Sequence, residues 1–576
     1  MADYSKSIEK FALANAFQHD GKAQAGSIIG KLIAEDENVK TKLKELMPQI
    51  NKTVAEVNKL TIKQQEEKLL QIYPEFFEKK EVEHEEKELA PLPNAVSGKV
   101  VLRLAPYPSG PLHIGNAKTY MLNALYAEKY NGKLVLVMDD TIGSEEKSIA
   151  PDAYKLIPEG FQWLNVKWDG PIIYKSDRIE LYNKYGRELI KKGATYVCTC
   201  DAETLRANRK AGKDCKCRKQ TVKETEELFE KMQAGKFKEG QAVLRLKTSM
   251  QHPNPAFRDR VLFRVSDRKH PRVGKKYRVW PMLEFSWAVD DHLLGITHVI
   301  RGKDLMMETE MCRFIWNIFG WKAPTIIHTG LIRLQGVKLS KSKAQKEVKS
   351  GKYTGWDDPR TFSLQSLARR GIQPHAIREF IASIGLNQND VEVPIDNLYA
   401  INRKLIDPIA HRYSFASGTS SAAPRHAKPG SGAPDAVKIE VKGAPAIKEI
   451  EVKLHPDKEN EMKKIKVGKT FYISKKDFDL LKNKEIRLMH LYNLVLGTTS
   501  RFTSKENKEV PRITWVPADF SVSAEVIMPD GKIVNGFAEE NCEKLKVGDI
   551  IQFERFGFVR LDKRAKGKPS FVFAHN

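Results

Sequence analysis

No apolar run in the sequence approaches the length of a membrane span, which argues against a helical membrane protein. The N-terminus, MADYSKSIEKFALANAF, lacks both the long apolar core of a secretory signal and the Arg/Ser-rich pattern of a transit peptide, so a cytoplasmic location is expected. Cysteine is scarce, six in 576 residues, which excludes a disulfide scaffold. Four of the six fall between positions 198 and 217, and that clustering suggests a metal site in a reducing compartment. Acidic residues are outnumbered: 97 Lys plus Arg against 73 Asp plus Glu gives a net charge of +24, spread along the chain. Such a surplus suits a large polyanionic partner, nucleic acid first; a generally basic soluble protein is the other reading.

A chain of this length exceeds one hydrophobic core, and roughly three to five compact units are expected. Helical periodicity in the first 78 residues (Ile28, Ile29, Leu32, Ile33; then Leu43, Leu46, Ile50) predicts a helical domain over 1–95, ending in the charged run KKEVEHEEKELA and the hinge PLPNAVSG. Lys99-VVLRLA reads as a strand, IGNAKTYMLNALYAEKY as a helix stopped at Asn131-Gly132, and KLVLVMDD as a second strand. This predicts a Rossmann-type α/β fold in two halves, 96–190 and 276–356, split by a cysteine-bearing insertion at 191–275. A helical connector follows at 357–405. The Gly/Pro/Ser/Ala-rich segment near 417–436 reads as a mobile loop, and the short alternating runs around it predict an all-β region of small barrels over 406–576.

The turn between the first strand and helix, PYPSGPLHIGN, carries the chemistry. In an open parallel sheet, ligands sit beyond the carboxyl ends of the strands, where a helix N-terminus offers N–H groups and partial positive charge to phosphate. Gly115 lets a base or sugar approach the backbone, and His113 and Asn116 can donate hydrogen bonds to phosphate oxygens. The string, with its turn Pro106, Pro108, Ser109 and Gly110, resembles the first signature of class I aminoacyl-tRNA synthetases, with Asn116 where that signature usually ends in histidine. The second signature of the class, a Lys-x-Ser-Lys-Ser loop, is matched by GVKLSKSKAQK, which supplies Lys338, Ser340 and Lys341. Two ammonium groups there would close on the polyphosphate and neutralise charge on leaving pyrophosphate.

Arg103 interrupts the apolar run VVLRLAP and Arg301 the run ITHVIRG, where a guanidinium needs an anionic partner: a substrate carboxylate or a structural salt bridge. Together RLAPYPSGPLHIGN, DDHLLGITHVIRGKD and GLIRLQGVKLSKSK resemble the archaeal-type glutamyl-tRNA synthetases, close relatives of the glutaminyl enzymes, over nearly the whole chain. The resemblance implies that Arg103 and Arg301 hold the substrate carboxylates and that Asp139 meets the α-ammonium group. The chain departs from the pattern at Ile142, usually polar, and at Leu283, usually tyrosine. The ending GDIIQFERFGFVRLDK resembles the branch that reads the anticodon with paired β-barrels.

Cys198, Cys200, Cys215 and Cys217 form two C-x-C pairs fourteen residues apart, able to surround a structural zinc or else remaining free thiols. The expected activity is ATP- and Mg²⁺-dependent attachment of glutamate to tRNA(Glu) through a glutamyl-adenylate. The alternatives are a glutaminyl enzyme, a glutamyl enzyme that also charges tRNA(Gln), a small-molecule nucleotidyltransferase, and a silent tRNA-binding protein. No membrane partner is expected, and the N-terminal helices are open to docking a protein or gripping tRNA.

Overall fold

A computed structural model describes residues 4–18, 21–36, 39–76, 89–142, 148–337, 341–418, 436–565 and 567–576. Most of the loop expected near 417–436, and most of the charged run ending at Ala90, lie outside the described residues. The chain divides into two units, Met1–Glu86 and Lys87–Asn576.

The first unit contains helices α1 (Ser5–Gln18), α2 (Ala25–Glu35), α3 (Val39–Val57) and α4 (Ile62–Ile72). Of the periodic apolar positions, Ile28, Leu32 and Ile50 are fully buried, with Ile8, Leu13 and Leu69 completing the core. Thr61 and Gln64 form a reciprocal cap at the start of α4, Gln64 N–H to Thr61 Oγ1 at 3.3 Å and Thr61 N–H to Gln64 Oε1 at 3.0 Å. Buried Gln65 donates to the carbonyls of Val57 (2.9 Å) and Gly21 (3.0 Å), tying two connections to α4.

The second unit opens with β1 (Val101–Leu104), α5 (Ile114–Lys129) and β2 (Lys133–Met138), the two strands parallel. Leu102 and Leu104 are fully buried on one face of β1 and Arg103 is 6% exposed on the other, as a strand covered on both faces requires. The helix stops where Asn131 turns left-handed (φ 46°), and only glycine fits next, since a Cβ on Gly132 would lie 2.5 Å from the Val100 carbonyl oxygen. After α6 (Ala153–Trp163), β3 (Ile173–Tyr174) pairs parallel with β2. Following α7 (Ile179–Lys191), the strands β4 (Thr195–Cys198), β5 (Val243–Leu246), β6 (Val261–Val265) and β7 (Val279–Pro281) form an antiparallel sheet in chain order, with α8 (Ala202–Ala211) and α9 (Val222–Gln233) between β4 and β5. This insertion shares most of its apolar packing with the nucleotide fold, Phe229, Leu244 and Phe263 joining one cluster with Val137, Phe285 and Trp316, and it keeps a small cluster of its own around Tyr196 and the cysteines.

The nucleotide fold resumes with α10 (Leu283–Leu293), β8 (His298–Gly302), α11 (Met306–Phe319) and β9 (Thr325–Thr329), β8 and β9 being parallel. The Thr297 N–H bonds to the Val101 carbonyl at 3.0 Å, joining this pair to the β1 edge. The chain therefore runs outward from β1 through β2 and β3, then returns to the other side of β1, and a crevice opens where the direction switches.

Helices Leu364–Arg370, Pro374–Ile384 and Ile395–Ile406 form the connector. Beyond them stand two seven-stranded sheets. One collects strands from 412–417 and 521–575; the other, 437–517, is nested within it in sequence, and each has its own core. Tyr472 and Phe537 stack at 3.8 Å between them. Buried Arg370 of the connector donates to the Phe573 (3.2 Å) and Ala574 (2.6 Å) carbonyls, and Arg369 grips Asp562 with two hydrogen bonds at 2.9 and 2.7 Å.

Candidate active site

The signature turn links the end of β1 to the start of α5. His113 is the N-cap of α5: its Nδ1 accepts the N–H groups of Gly115 (3.1 Å) and Asn116 (3.3 Å). Asn116 answers with Oδ1, which accepts the His113 N–H at 2.9 Å. Those helix-end amides are therefore engaged by the imidazole, where the sequence suggested unpaired ones. With Nδ1 an acceptor, the proton of a neutral ring sits on Nε2. The cap thus places a ring N–H and the Asn116 side-chain amide on a helix end that is already electropositive. Gly110 (φ +145°) lies against the Trp356 ring, which a Cβ would approach to 3.1 Å, and Trp356 Nε1 donates to Asp152 Oδ2 at 2.7 Å. The Leu364 N–H reaches the Leu112 carbonyl at 2.9 Å, so the start of the connector braces the turn.

Beside the turn is a buried, densely charged cluster of side chains. Arg103 of β1 donates Nε and Nη2 to Asp291 of α10 at 2.5 and 3.2 Å. Asp139, whose N–H bonds to the Pro106 carbonyl of the turn at 3.0 Å, faces Lys175 Nζ at 3.2 Å and receives the Trp287 indole N–H at 3.1 Å. Lys175 also donates to Ser286 Oγ at 2.8 Å, and the Trp287 ring lies 3.5 Å from both the Lys175 ammonium and the Arg103 guanidinium. Arg178 and the Tyr182 hydroxyl satisfy Asp290, at 2.8 and 2.6 Å.

Arg301, at the end of β8, differs from its neighbours. It is 6% exposed, donates to Thr309 Oγ1 through Nε (3.0 Å) and Nη2, also meets the Cys312 thiol, and pairs with no carboxylate among the described residues. Burial lowers its pKa from the ordinary value, with the adjacent Arg103 charge adding to the effect and Cys312 and Asp291 opposing it. Burial likewise lowers that of Lys175, against the pull of Asp139 and Asp290. Burial and the Asp139 carboxylate push the Tyr107 hydroxyl of the turn up to about 12, so it stays a neutral phenol.

In the insertion, the sulfurs of Cys198, Cys200, Cys215 and Cys217 all lie within 4.8 Å of one another. The Cys198–Cys215 and Cys200–Cys217 separations are 3.8 and 4.0 Å. Four thiolates at about 2.3 Å from a tetrahedral zinc stand about 3.8 Å apart, so the donor set fits that ion in size and chemistry. Arg245 Nη1 points at Cys198 Sγ from 3.9 Å, a cation placed to offset thiolate charge.

Comparison with known proteins decides the family. The catalytic-domain model of the tRNA synthetases class I (E and Q) matches residues 99–408, and two models of that group's anticodon binding domain match 431–515 and 512–562. The chain belongs to the class I tRNA synthetases of the E and Q type. It is 44% identical to a glutamate–tRNA ligase of Pyrococcus abyssi, over 98% of both chains. It is 41% identical to one from Methanocaldococcus jannaschii, over 99% of both.

In this synthetase the fold gathers Arg103 and Asp139 around Trp287, puts Arg301 within range of the Arg103 charge, and sets His113, Gly115 and Asn116 at the adjoining helix end. Lys338 and Ser340 lie outside the described residues, as does the side chain of Lys341, which opens the helix Lys341–Lys349. Ile142, 4% exposed, is packed in the core, and Leu283 opens α10 with its carbonyl accepting from Ser286 Oγ at 3.1 Å. Sequence reasoning missed Lys175, Ser286, Trp287 and Asp291. The signal for the last was present: two adjacent carboxylates, Asp290 and Asp291, inside an apolar helix must meet buried cations.

Proposed function

We propose that the protein is a glutamate–tRNA ligase that makes glutamyl-tRNA(Glu) through a glutamyl-adenylate. The α-carboxylate of glutamate attacks the α-phosphate of ATP, pyrophosphate leaves, and the 2′-hydroxyl of the terminal ribose of tRNA then takes the acyl group and releases AMP. No side chain need act as nucleophile; positioning and charge stabilisation carry both steps. Mg²⁺ bound with ATP would offset the charge of its phosphates. His113 Nε2 and the Asn116 amide serve as phosphate donors, and Gly115 leaves room for the adenosine. Lys338, Ser340 and Lys341 bear on the departing pyrophosphate. Arg301 takes the substrate side-chain carboxylate with Arg103 alongside, and Asp139 faces the α-ammonium group.

The observation that carries the reading is Arg301, a buried guanidinium beside Arg103 that pairs with no carboxylate among the described residues, which suits an anionic side chain. Support also comes from relatives that bear the glutamate–tRNA ligase name and align from end to end. The four cysteines would hold a structural zinc that stiffens the insertion against the acceptor end of tRNA. The paired sheets take the anticodon, the enzyme works in the cytoplasm, and the N-terminal helices bind a protein partner or tRNA. Among the described residues no helix is long and apolar enough to cross a membrane.

The test is charging of purified tRNA(Glu) and tRNA(Gln), each with labelled glutamate and glutamine. Glutamate on tRNA(Glu) is the expected product; glutamate on tRNA(Gln) as well would define a non-discriminating enzyme. Glutamine as the preferred substrate would overturn the reading.

A further inference from the structure

Charge around the amino-acid pocket is almost, but not entirely, compensated from within. Three buried or half-buried pairs, Arg103–Asp291, Lys175–Asp139 and Arg178–Asp290, match three cations with three carboxylates, and Arg301 adds a fourth cation. Over these seven groups the sum is one net positive charge; Asp140, buried beside Asp139, is a further carboxylate, held by the Ser176 and Tyr154 hydroxyls with Arg272 at 3.9 Å. Glutamate, with two carboxylates and one ammonium, carries one net negative charge; glutamine carries none. The two amino acids are nearly the same size, so charge must do most of the sorting.

Lys175 decides this balance. Its side chain is wholly buried, which is rare for lysine without a partner. Three features of its surroundings fit a protonated amine: the Asp139 carboxylate at 3.2 Å, the Ser286 oxygen at 2.8 Å, and the Trp287 ring face at 3.5 Å. Ser286 passes its own proton to the Leu283 carbonyl at 3.1 Å, so its oxygen can only accept from Lys175. Without this ammonium, the Asp139 carboxylate would stand uncompensated in the pocket and cancel the charge of Arg301.

We propose that Lys175 is a specificity-determining residue of the amino-acid pocket: by neutralising Asp139 it leaves Arg301 as net charge, so that the site selects an anionic over a neutral amino acid. Trp287 holds Lys175 in place through its ring face while its indole N–H fixes the facing oxygen of Asp139. The inference rests on the assignment of this pocket to the amino acid in the proposed function.

The experiment measures kcat/KM for charging with glutamate and with glutamine on the full-length enzyme, and reads their ratio. Lys175→Met, and Lys175→Gln as a variant that keeps polar contacts with Asp139 and Ser286, should each lower the glutamate preference by about tenfold or more, the scale of one unit charge at the effective dielectric of a protein site. Lys175→Arg should retain it. The double variant Lys175→Met/Asp139→Asn removes one charge of each sign and should restore the wild-type ratio even where overall activity drops, because the α-ammonium contact is common to both substrates. Thermal melts confirm that each variant is folded. An unchanged ratio in the Gln and Met variants, or a double variant as unselective as Lys175→Met, overturns the inference. A wild-type enzyme that charges no glutamate would instead overturn the functional assignment on which it rests.

Discussion

His113 and Asn116 cap one another: the imidazole Nδ1 accepts the Asn116 amide at 3.3 Å and the Asn116 side-chain oxygen accepts the His113 amide at 2.9 Å. The residue that departs from the usual signature is thus a working cap acceptor, and in the proposed function its amide nitrogen serves as a phosphate donor. Asn116→Ala should cost about 0.5–2 kcal/mol in urea denaturation, the range for removing an N-cap partner. Asn116→Asp keeps the acceptor and suits the positive helix end, so stability should hold while the KM for ATP rises, since a carboxylate replaces a donor beside the triphosphate. Equal ATP kinetics for wild type and Asn116→Asp would argue against contact with the nucleotide.

The cysteine cluster makes a separate prediction. Protein purified without chelators should contain about one zinc per chain by elemental analysis, as expected of a four-cysteine site. Cys200→Ser, at the most exposed of the four ligands, should lose metal and lower the melting temperature of the insertion. Metal-free wild-type protein with an unchanged melt would show that the thiols stand alone.

Arg370 tests the junction between connector and distal sheet. It is fully buried and donates to the Phe573 and Ala574 carbonyls and to the Tyr399 hydroxyl at 2.9 Å. Arg370→Met keeps the volume but strands those acceptors, and should destabilise the protein by about 2–4 kcal/mol. Limited proteolysis should then cut first near the C-terminal strands. The Arg369 grip on Asp562 survives this substitution, so complete unfolding is not expected.

Burial lowers His575 from its ordinary pKa to about 4, and its Nε2 lies 2.9 Å from the Asn402 side-chain amide nitrogen, an arrangement for a neutral ring that accepts. Between pH 6.5 and about 4 the unfolded chain takes up a proton that the folded one refuses. The neutral-ring contribution is therefore complete above the unfolded pKa and is lost as pH falls through this window, by up to about 3 kcal/mol. Urea midpoints measured from pH 7 to 4 should decline, and His575→Gln should flatten part of that decline. Parallel curves for the two proteins would contradict the assignment.

The sequence made some of this architecture readable because the relevant residues are neighbours in the chain. The turn with His113 and Asn116 is four residues long, so spacing alone places its atoms together, and the cysteines that meet between the two C-x-C pairs stand only 17 residues apart, on one short excursion of the chain. The pocket was only half readable. Arg103 was flagged by its apolar surroundings, but its partner Asp291 is 188 residues away and Trp287 is 148 residues from Asp139. Only the return of the chain to the far side of β1 brings them into contact. The nesting of one C-terminal sheet inside the other was hidden for the same reason: alternation marks strands, while their order is set by pairings such as Arg412–Tyr413 with Gln552–Phe553.

In the proposed function the helix end at His113 and the site at Arg301 hold two halves of one glutamyl-adenylate. A crystal structure with a nonreactive glutamyl-adenylate analogue should show the side-chain carboxylate on the Arg301 guanidinium, and the phosphate mimic and adenosine against His113 and Gly115. An analogue seated away from both, or with its carboxylate turned from Arg301, would contradict it.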